Sequence, residues 1–167
     1  IDQHHSLRTI AVCDQNFSEV GTLSDGVRCF PRYHQLLEEP LDILFVSLPN
    51  YLSAEVTIAG LDKNLHVFCE KPPGRDVEDI KRVIETEERS PNLFLKYGFN
   101  HRYHDSVSEA LQIIQSKKLG EIVNLRGVYG KSKIIPFAGE WRAERKYAGG
   151  GILLDQGLHM VDLMCLF

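Results

Sequence analysis

No stretch of the chain approaches the about 20 consecutive apolar residues that span a bilayer. The opening Ile1-Asp2-Gln3-His4-His5 also lacks the charged-then-apolar layout of a secretory signal. A cytoplasmic location is the resulting expectation. Basic charge is in short supply: 19 Lys and Arg stand against 23 Asp and Glu, the formal net charge is -4 and the isoelectric point is near 6.0. No local run of Lys and Arg compensates. Without a positive field to attract phosphate backbones or acidic lipid, neither nucleic acid nor membrane is an expected partner. Cysteine is scarce as well. Cys13, Cys29, Cys69 and Cys165 lie far apart with no Cys-x-x-Cys pair, which argues against a zinc or redox loop and for buried, reduced thiols. His101, His104 and Asp105 match no common ligand spacing, so no metal is expected.

What remains is the makeup of a soluble domain: 167 residues, 43% hydrophobic and 25% charged, enough to bury a core. The first residue is Ile and the last, Phe167, falls within an apolar helical pattern that has met no stop signal. Both ends read as cut.

Short apolar runs at Thr9-Ile10-Ala11-Val12-Cys13, Asp42 to Ser47, Leu65 to Cys69 and Leu93 to Gly98 predict strands. Unbroken runs of this kind suit strands covered on both faces. Between them the pattern predicts helices over Tyr33 to Glu39, Ser53 to Lys63 and the segment after Asp76, an N-cap. Strand and helix alternate, which means a parallel sheet. Val107, Ala110, Leu111 and Ile114 mark a further helix, stopped near Gly120. From Glu121 to Lys133 polar and apolar residues interleave, predicting a strand with one covered face and the start of a second, mostly antiparallel sheet. The fold class expected is α/β: a partial Rossmann-type parallel sheet with helices over 1–98, then the start of an α+β domain over 99–167.

Candidate chemistry gathers at strand ends. Asp14 follows an apolar strand, where a dinucleotide fold keeps the acid that binds the adenosine ribose; a turn or capping role is the competing reading. Ser47-Leu48-Pro49-Asn50 ends the next strand on the carboxyl edge, where open α/β sheets hold ligands, and it also has the composition of an ordinary turn. Glu70-Lys71-Pro72-Pro73 closes a third strand. The prolines forbid its continuation, so Lys71 is aimed out of the sheet edge, where an ammonium can offset developing negative charge or hydrogen-bond a hydroxyl. Gly149-Gly150-Gly151 leads into a helical pattern in which Asp155, His159 and Asp162 share a face. An acid beside a histidine can raise its pKa and hold its ring, preparing a general acid/base; an ordinary i to i+4 pair is the alternative.

Taken together, Glu70-Lys71-Pro72, Gly98-Phe99-Asn100-His101-Arg102, Trp141-Arg142, Gly149-Gly150-Gly151 and Asp155-Gln156-Gly157-Leu158-His159-Met160-Val161-Asp162 resemble the Gfo/Idh/MocA oxidoreductase family in order and spacing, from about Ile10 to Phe167. The resemblance implies a Rossmann domain binding NAD or NADP, followed by an α+β domain that covers the nicotinamide and shapes a pocket for sugars, cyclitols and related polyols. It implies that Lys71 anchors the reacting hydroxyl and nicotinamide ribose, that His159 moves the hydroxyl proton and that Asp155 orients or charge-balances the site. Ser47, Pro49, Asn50 and Glu70 would line the cofactor; Asn100, Arg102, Trp141 and Arg142 would stand near nicotinamide or substrate. Asp14 favours NAD over NADP, because a carboxylate repels a 2′-phosphate. A homo-oligomer is expected of the full-length form.

Three departures accompany the resemblance. Relatives carry a Gly-x-Gly-x-x-Gly-type turn that supplies pyrophosphate amides, and this chain has none. The family's second sheet runs well beyond the position of Phe167. Ser53 stands where many relatives have a histidine. Two expectations follow: a segment of an active dehydrogenase, or a non-catalytic remnant or binding module of the same fold.

Overall fold

The computed structural model describes residues 4–130 and 141–167. Among these residues, six short strands form two three-stranded sheets. In the first, β1 (Ala11–Cys13) pairs in parallel with β3 (Arg28–Phe30), which pairs antiparallel with β2 (Gly21–Thr22). The β2–β3 hairpin was not expected, although Asp25-Gly26 is a turn signal. There the Asp25 carboxylate accepts from the Val27 amide at 3.1 Å and Gly26 takes a φ of 85°. In the second sheet β4 (Ile43–Val46), β5 (His66–Cys69) and β6 (Leu95–Tyr97) are all parallel, as the alternating strand and helix pattern requires. The edge strands β1 and β4 line a groove of about 540 Å³.

Helix α1 (Tyr33–Leu36) packs on β1 and β3, and α2 (Asn50–Asp62) covers β4 and β5 and carries α3 (Val77–Glu88) on its outer side. The core is the apolar layer beneath α2: Leu44, Val46, Val56, Leu61, Val67 and Cys69 are all buried. Each such aliphatic side chain contributes about 1.5–3 kcal/mol by leaving water. The expectation that these strands are covered on both faces is corrected. Ile43 and Phe45 are 37% and 44% exposed while Leu44 and Val46 are buried, so β4 is covered on one side only. On the exposed side Phe45 meets Phe68, with ring centroids 5.6 Å apart.

Helix α3 begins as expected. The Asp76 carboxylate caps it, accepting from the Asp79 amide at 2.9 Å. Helix α4 (Asp105–Gln115) ends before Gly120, the predicted stop. The expected strand from Glu121 is not formed: residues 121–130 are exposed and carry no strand, and 131–133 lie outside the described residues. A strand needs a hydrogen-bonded neighbour, and none of the described strands lies beside this segment. Beyond it come a 3₁₀ turn (Trp141–Ala143), α5 (Arg145–Ala148), a π-helical turn (Leu153–Gly157) and α6 (Leu158–Leu166). All four cysteines are free; Cys29 and Cys69 are buried, and burial pushes the Cys69 thiol up to about 11. Cys165 is exposed, contrary to the expectation for all four, because the helix that carries it turns that side outward.

Candidate active site

Strand register builds one rim of the site. Val46 is level with Cys69, and Cys69 with Tyr97. The next residues, Ser47, Glu70 and Gly98, therefore leave the sheet together at its carboxyl edge. Glu70 lies across Gly98, where an added Cβ would come within 3.0 Å of the carboxylate. The Glu70 carboxylate also accepts from the Lys71 amide at 3.3 Å. Pro72 and Pro73, with no N–H to donate, end the strand and leave Lys71 pointing off the edge.

The opposite rim is α5 and the turn after it, held by three contacts. The Asn50 side-chain amide donates to the buried Ala148 carbonyl at 2.8 Å. Tyr51 and Tyr147 meet with ring centroids 5.1 Å apart. Arg75 donates to the Lys146 carbonyl at 3.4 Å. Arg75 is itself fixed by Asp79, which is 5% exposed and accepts from the Arg75 amide at 3.0 Å and from its guanidinium at 2.9 and 3.2 Å. That pairing holds the Asp79 carboxyl below its usual range. Gly149 lets the chain turn here. Its φ is 79°, and a Cβ would fall 2.2 Å from the Arg75 carbonyl oxygen, so only glycine fits.

Between the rims lies a cleft of about 570 Å³ lined by Ser47, Pro49, Asn50, Glu70, Lys71, Trp141, Arg142 and Asp155, together with Gly150, Gly151, Ile152 and Leu154. Eight residues singled out in the sequence thus line one cavity. Across it the Lys71 ammonium donates to both the main-chain carbonyl and the carboxylate of Asp155, each at 2.9 Å. The other carboxylate oxygen of Asp155 accepts from Gln156 at 2.8 Å. Gln156, buried, was not anticipated; only its place next to Asp155 hinted at it. The Arg142 guanidinium lies 4.4 Å from the centroid of the Trp141 ring.

His159 sits beside the cleft, 5% exposed. Its Nδ1 is sealed from solvent without a hydrogen-bond partner among the described residues. Its ring rests against that of His101, with centroids 4.0 Å apart. Asp155 does pull the pKa of His159 upward, with Asp162, but burial first, then His101 and Lys71, outweigh it and lower the pKa overall. The Asp155 carboxylate is also bonded to Lys71 and Gln156.

Other anticipated residues lie apart from the cleft lining. Arg102 forms a bidentate pair with Asp162 at 2.7 and 2.5 Å. The Asn100 carboxamide oxygen is 3.0 Å from Nδ1 of His101. Asp14 closes β1 and accepts from the Asn16 amide at 2.8 Å, a local turn. Ser53 is buried in α2, donating to the Pro49 carbonyl at 3.4 Å. No group of three or more potential metal-ligating side chains occurs among the described residues, and no helix among them is long and apolar enough to cross a membrane.

Comparison with known proteins places the chain among oxidoreductases. The family model described as "Oxidoreductase family, NAD-binding Rossmann fold" matches residues 1–99, and the GFO/IDH/MocA C-terminal domain matches residues 107–167. D-glucoside 3-dehydrogenase of Escherichia coli is 29% identical over 163 residues, 95% of this chain and 46% of that protein. The structure of a levoglucosan dehydrogenase in complex with NADH and levoglucosan superposes on 81% of this chain and 37% of its own, with a TM-score of 0.69 and 25% identity. Myo-inositol 2-dehydrogenase from Lactobacillus plantarum superposes on 99% of this chain and 50% of its own, with a TM-score of 0.74 and 23% identity, a likeness of fold. The chain spans about half or less of the length of the relatives it matches. The first of the two family models alone covers more than half of the chain, and the chain belongs to the Gfo/Idh/MocA oxidoreductase family.

Proposed function

We propose that this chain carries the reaction centre of a NAD(P)-dependent dehydrogenase acting on a sugar, cyclitol or related polyol. Residues 1–98 serve the dinucleotide and 99–167 begin the part that faces the substrate. The observation that carries the reading is Lys71 reaching from the end of β5 to Asp155 at 2.9 Å across a cleft at the sheet's carboxyl edge, the place where open α/β sheets hold ligands.

The cleft suits the nicotinamide half of NAD or NADP. Ser47, Pro49, Asn50 and Glu70 offer a polar wall at one strand edge, and Trp141 offers an apolar one. When bound, the nicotinamide supplies the hydride acceptor for alcohol oxidation. Lys71 donates a hydrogen bond to the reacting hydroxyl and stabilises its oxygen as negative charge develops. His159 accepts the hydroxyl proton while the hydride leaves carbon, so the alcohol becomes a carbonyl and one proton resides on the imidazole. Because Nδ1 of His159 is sealed, Nε2 is the nitrogen that takes it. Asp155 holds the ammonium in place, and Gln156 holds Asp155. Levoglucosan and a D-glucoside, handled by two relatives, are the first substrates to try. Asp14 favours NAD.

The test is reduction of NAD and NADP, followed by absorbance, with a panel of sugars and cyclitols. His159→Asn is expected to lower the rate by about 100-fold or more while NADH binding is retained. Equal rates in the variant would refute the role of His159.

A further inference from the structure

Two imidazoles are in ring contact beside the proposed site, and only one has been given work. His159 is buried in α6. His101, on the 3₁₀ turn Asn100–Tyr103 that follows β6, lies with its centroid 4.0 Å from that of His159 and its plane tilted by 42°. Behind His101 stands the ring of His104, at 4.9 Å and exposed. The stack therefore runs from a buried ring through a half-buried one to the solvent. Tyr129 closes one side, with centroids 5.6 Å from His101 and 6.3 Å from His159. Phe99 meets His159 edge-on at 6.3 Å.

We propose that His101 is a positioning residue for His159: the two rings in contact cannot both carry a proton, so each restrains the protonation of the other and His159 is kept neutral and ready to accept a proton. The inference rests on the reading of His159 as the proton-moving group. Its basis is distance. Two positive charges separated by about 4 Å in a partly buried site repel strongly, so the second protonation of such a pair is displaced far below the first. Burial is the first cause lowering the pKa of both rings; His101 and Lys71 lower His159 further, and His104 and Lys71 lower His101 further, against an upward pull of Asp162 on both.

The other groups around the pair act in both directions. From the end of β5, Lys71 repels a proton on either ring. From the π-helical turn and α6, Asp155 and Asp162 attract one to His159. Asp155 is bonded to Lys71 and Asp162 to Arg102, so both carboxylates are largely offset. Tyr129, from the segment before the undescribed residues, presents a ring. Among the described residues, His101 is the imidazole in ring contact with His159. The Nδ1 of His101 lies 3.0 Å from the Asn100 carboxamide oxygen, an acceptor that suits an N–H and keeps the ring in the stack.

The experiment is a pH titration of the histidine Cε1 resonances by NMR on the 167-residue chain, with His101→Gln and His101→Arg. In the unmutated chain both ring signals are expected to show two inflections, the mark of coupled sites. Removing the titrating charge with Gln should raise the His159 midpoint by about one pH unit, and fixing a charge with Arg should lower it. Opposite signs identify a charge effect, since a purely structural role would move both variants the same way. Single independent inflections in the unmutated chain, or shifts of the same sign in the two variants, would overturn the proposal. The readout needs no turnover: coupled inflections in a chain that fails to bind NADH would uphold the pair and refute the dehydrogenase reading alone.

Discussion

Replacing Gly149 with alanine should unfasten one rim of the cleft. The perturbation has two parts. With φ at 79° and ψ at -39°, an L-residue at this position is strained by about 1–3 kcal/mol. The new Cβ would also stand 2.2 Å from the Arg75 carbonyl oxygen and 2.5 Å from its Cα, and backbone on both sides leaves no flexible atom to yield. Relief requires α5 to move away from the Arg75 backbone just before α3, stretching the buried Asn50 to Ala148 hydrogen bond, whose loss adds about 0.5–1.5 kcal/mol. The expected cost is about 2–4 kcal/mol, which for a chain of this size lowers the melting temperature by about 5–15 °C. Urea denaturation followed by circular dichroism measures it. Gly151→Ala is the control, because a Cβ there meets nothing within 4 Å, and its effect should stay within about 0.5 kcal/mol. A Gly149→Ala loss below about 0.5 kcal/mol would refute the reasoning.

Three further outcomes are expected. Asp79→Asn leaves Arg75 without its carboxylate and frees the Lys146 carbonyl contact, costing about 2–3 kcal/mol by the same denaturation assay. Since Arg75 lowers the Asp79 carboxyl pKa in the folded chain, the stability it contributes is present above the unfolded value of about 3.9 and is lost as pH falls below that; acid titration should show a loss missing from Asp79→Asn. His159 is likewise lowered, so between the unfolded value of about 6.5 and its folded one the unfolded chain binds more protons, and stability should fall with falling pH there. His159→Phe should flatten that part of the stability profile. Arg102→Ala strands the Asp162 carboxylate, whose side chain is 7% exposed, and should cost about 3 kcal/mol.

Much of this was legible in the sequence, for reasons that differ by residue. The β4, β5 and β6 strands and α2 and α3 were readable because short apolar runs alternate with helical spacing, and the Asp76 cap because the chemistry is local. Lys71 was placed at a strand end by the two prolines after it. That it meets Asp155, 84 positions later, is a matter of tertiary register that no local pattern carries; the family resemblance put both residues at one site without their contact. The unbroken run Ile43 to Val46 misled, since apolar letters report that a strand can be covered on both sides, not that a neighbour is there to cover it. Residues 121–130 have strand alternation without a partner strand. Helical spacing correctly put Asp155 within reach of His159, but the burial and the His101 contact that outweigh it are tertiary and leave no local pattern. His101 was legible only as a discounted metal ligand and as part of the Gly98 to Arg102 motif.

The most direct test of the central claim, that the cleft at the carboxyl edge receives a nicotinamide cofactor, is titration of the 167-residue chain with NADH and NADPH by nicotinamide fluorescence, beside Lys71→Ala. The account predicts saturable binding, tighter for NADH, that weakens by about tenfold or more in the variant, the loss expected when a charged hydrogen-bond donor is removed. Binding that is unchanged in Lys71→Ala, or no binding of either cofactor, would contradict it.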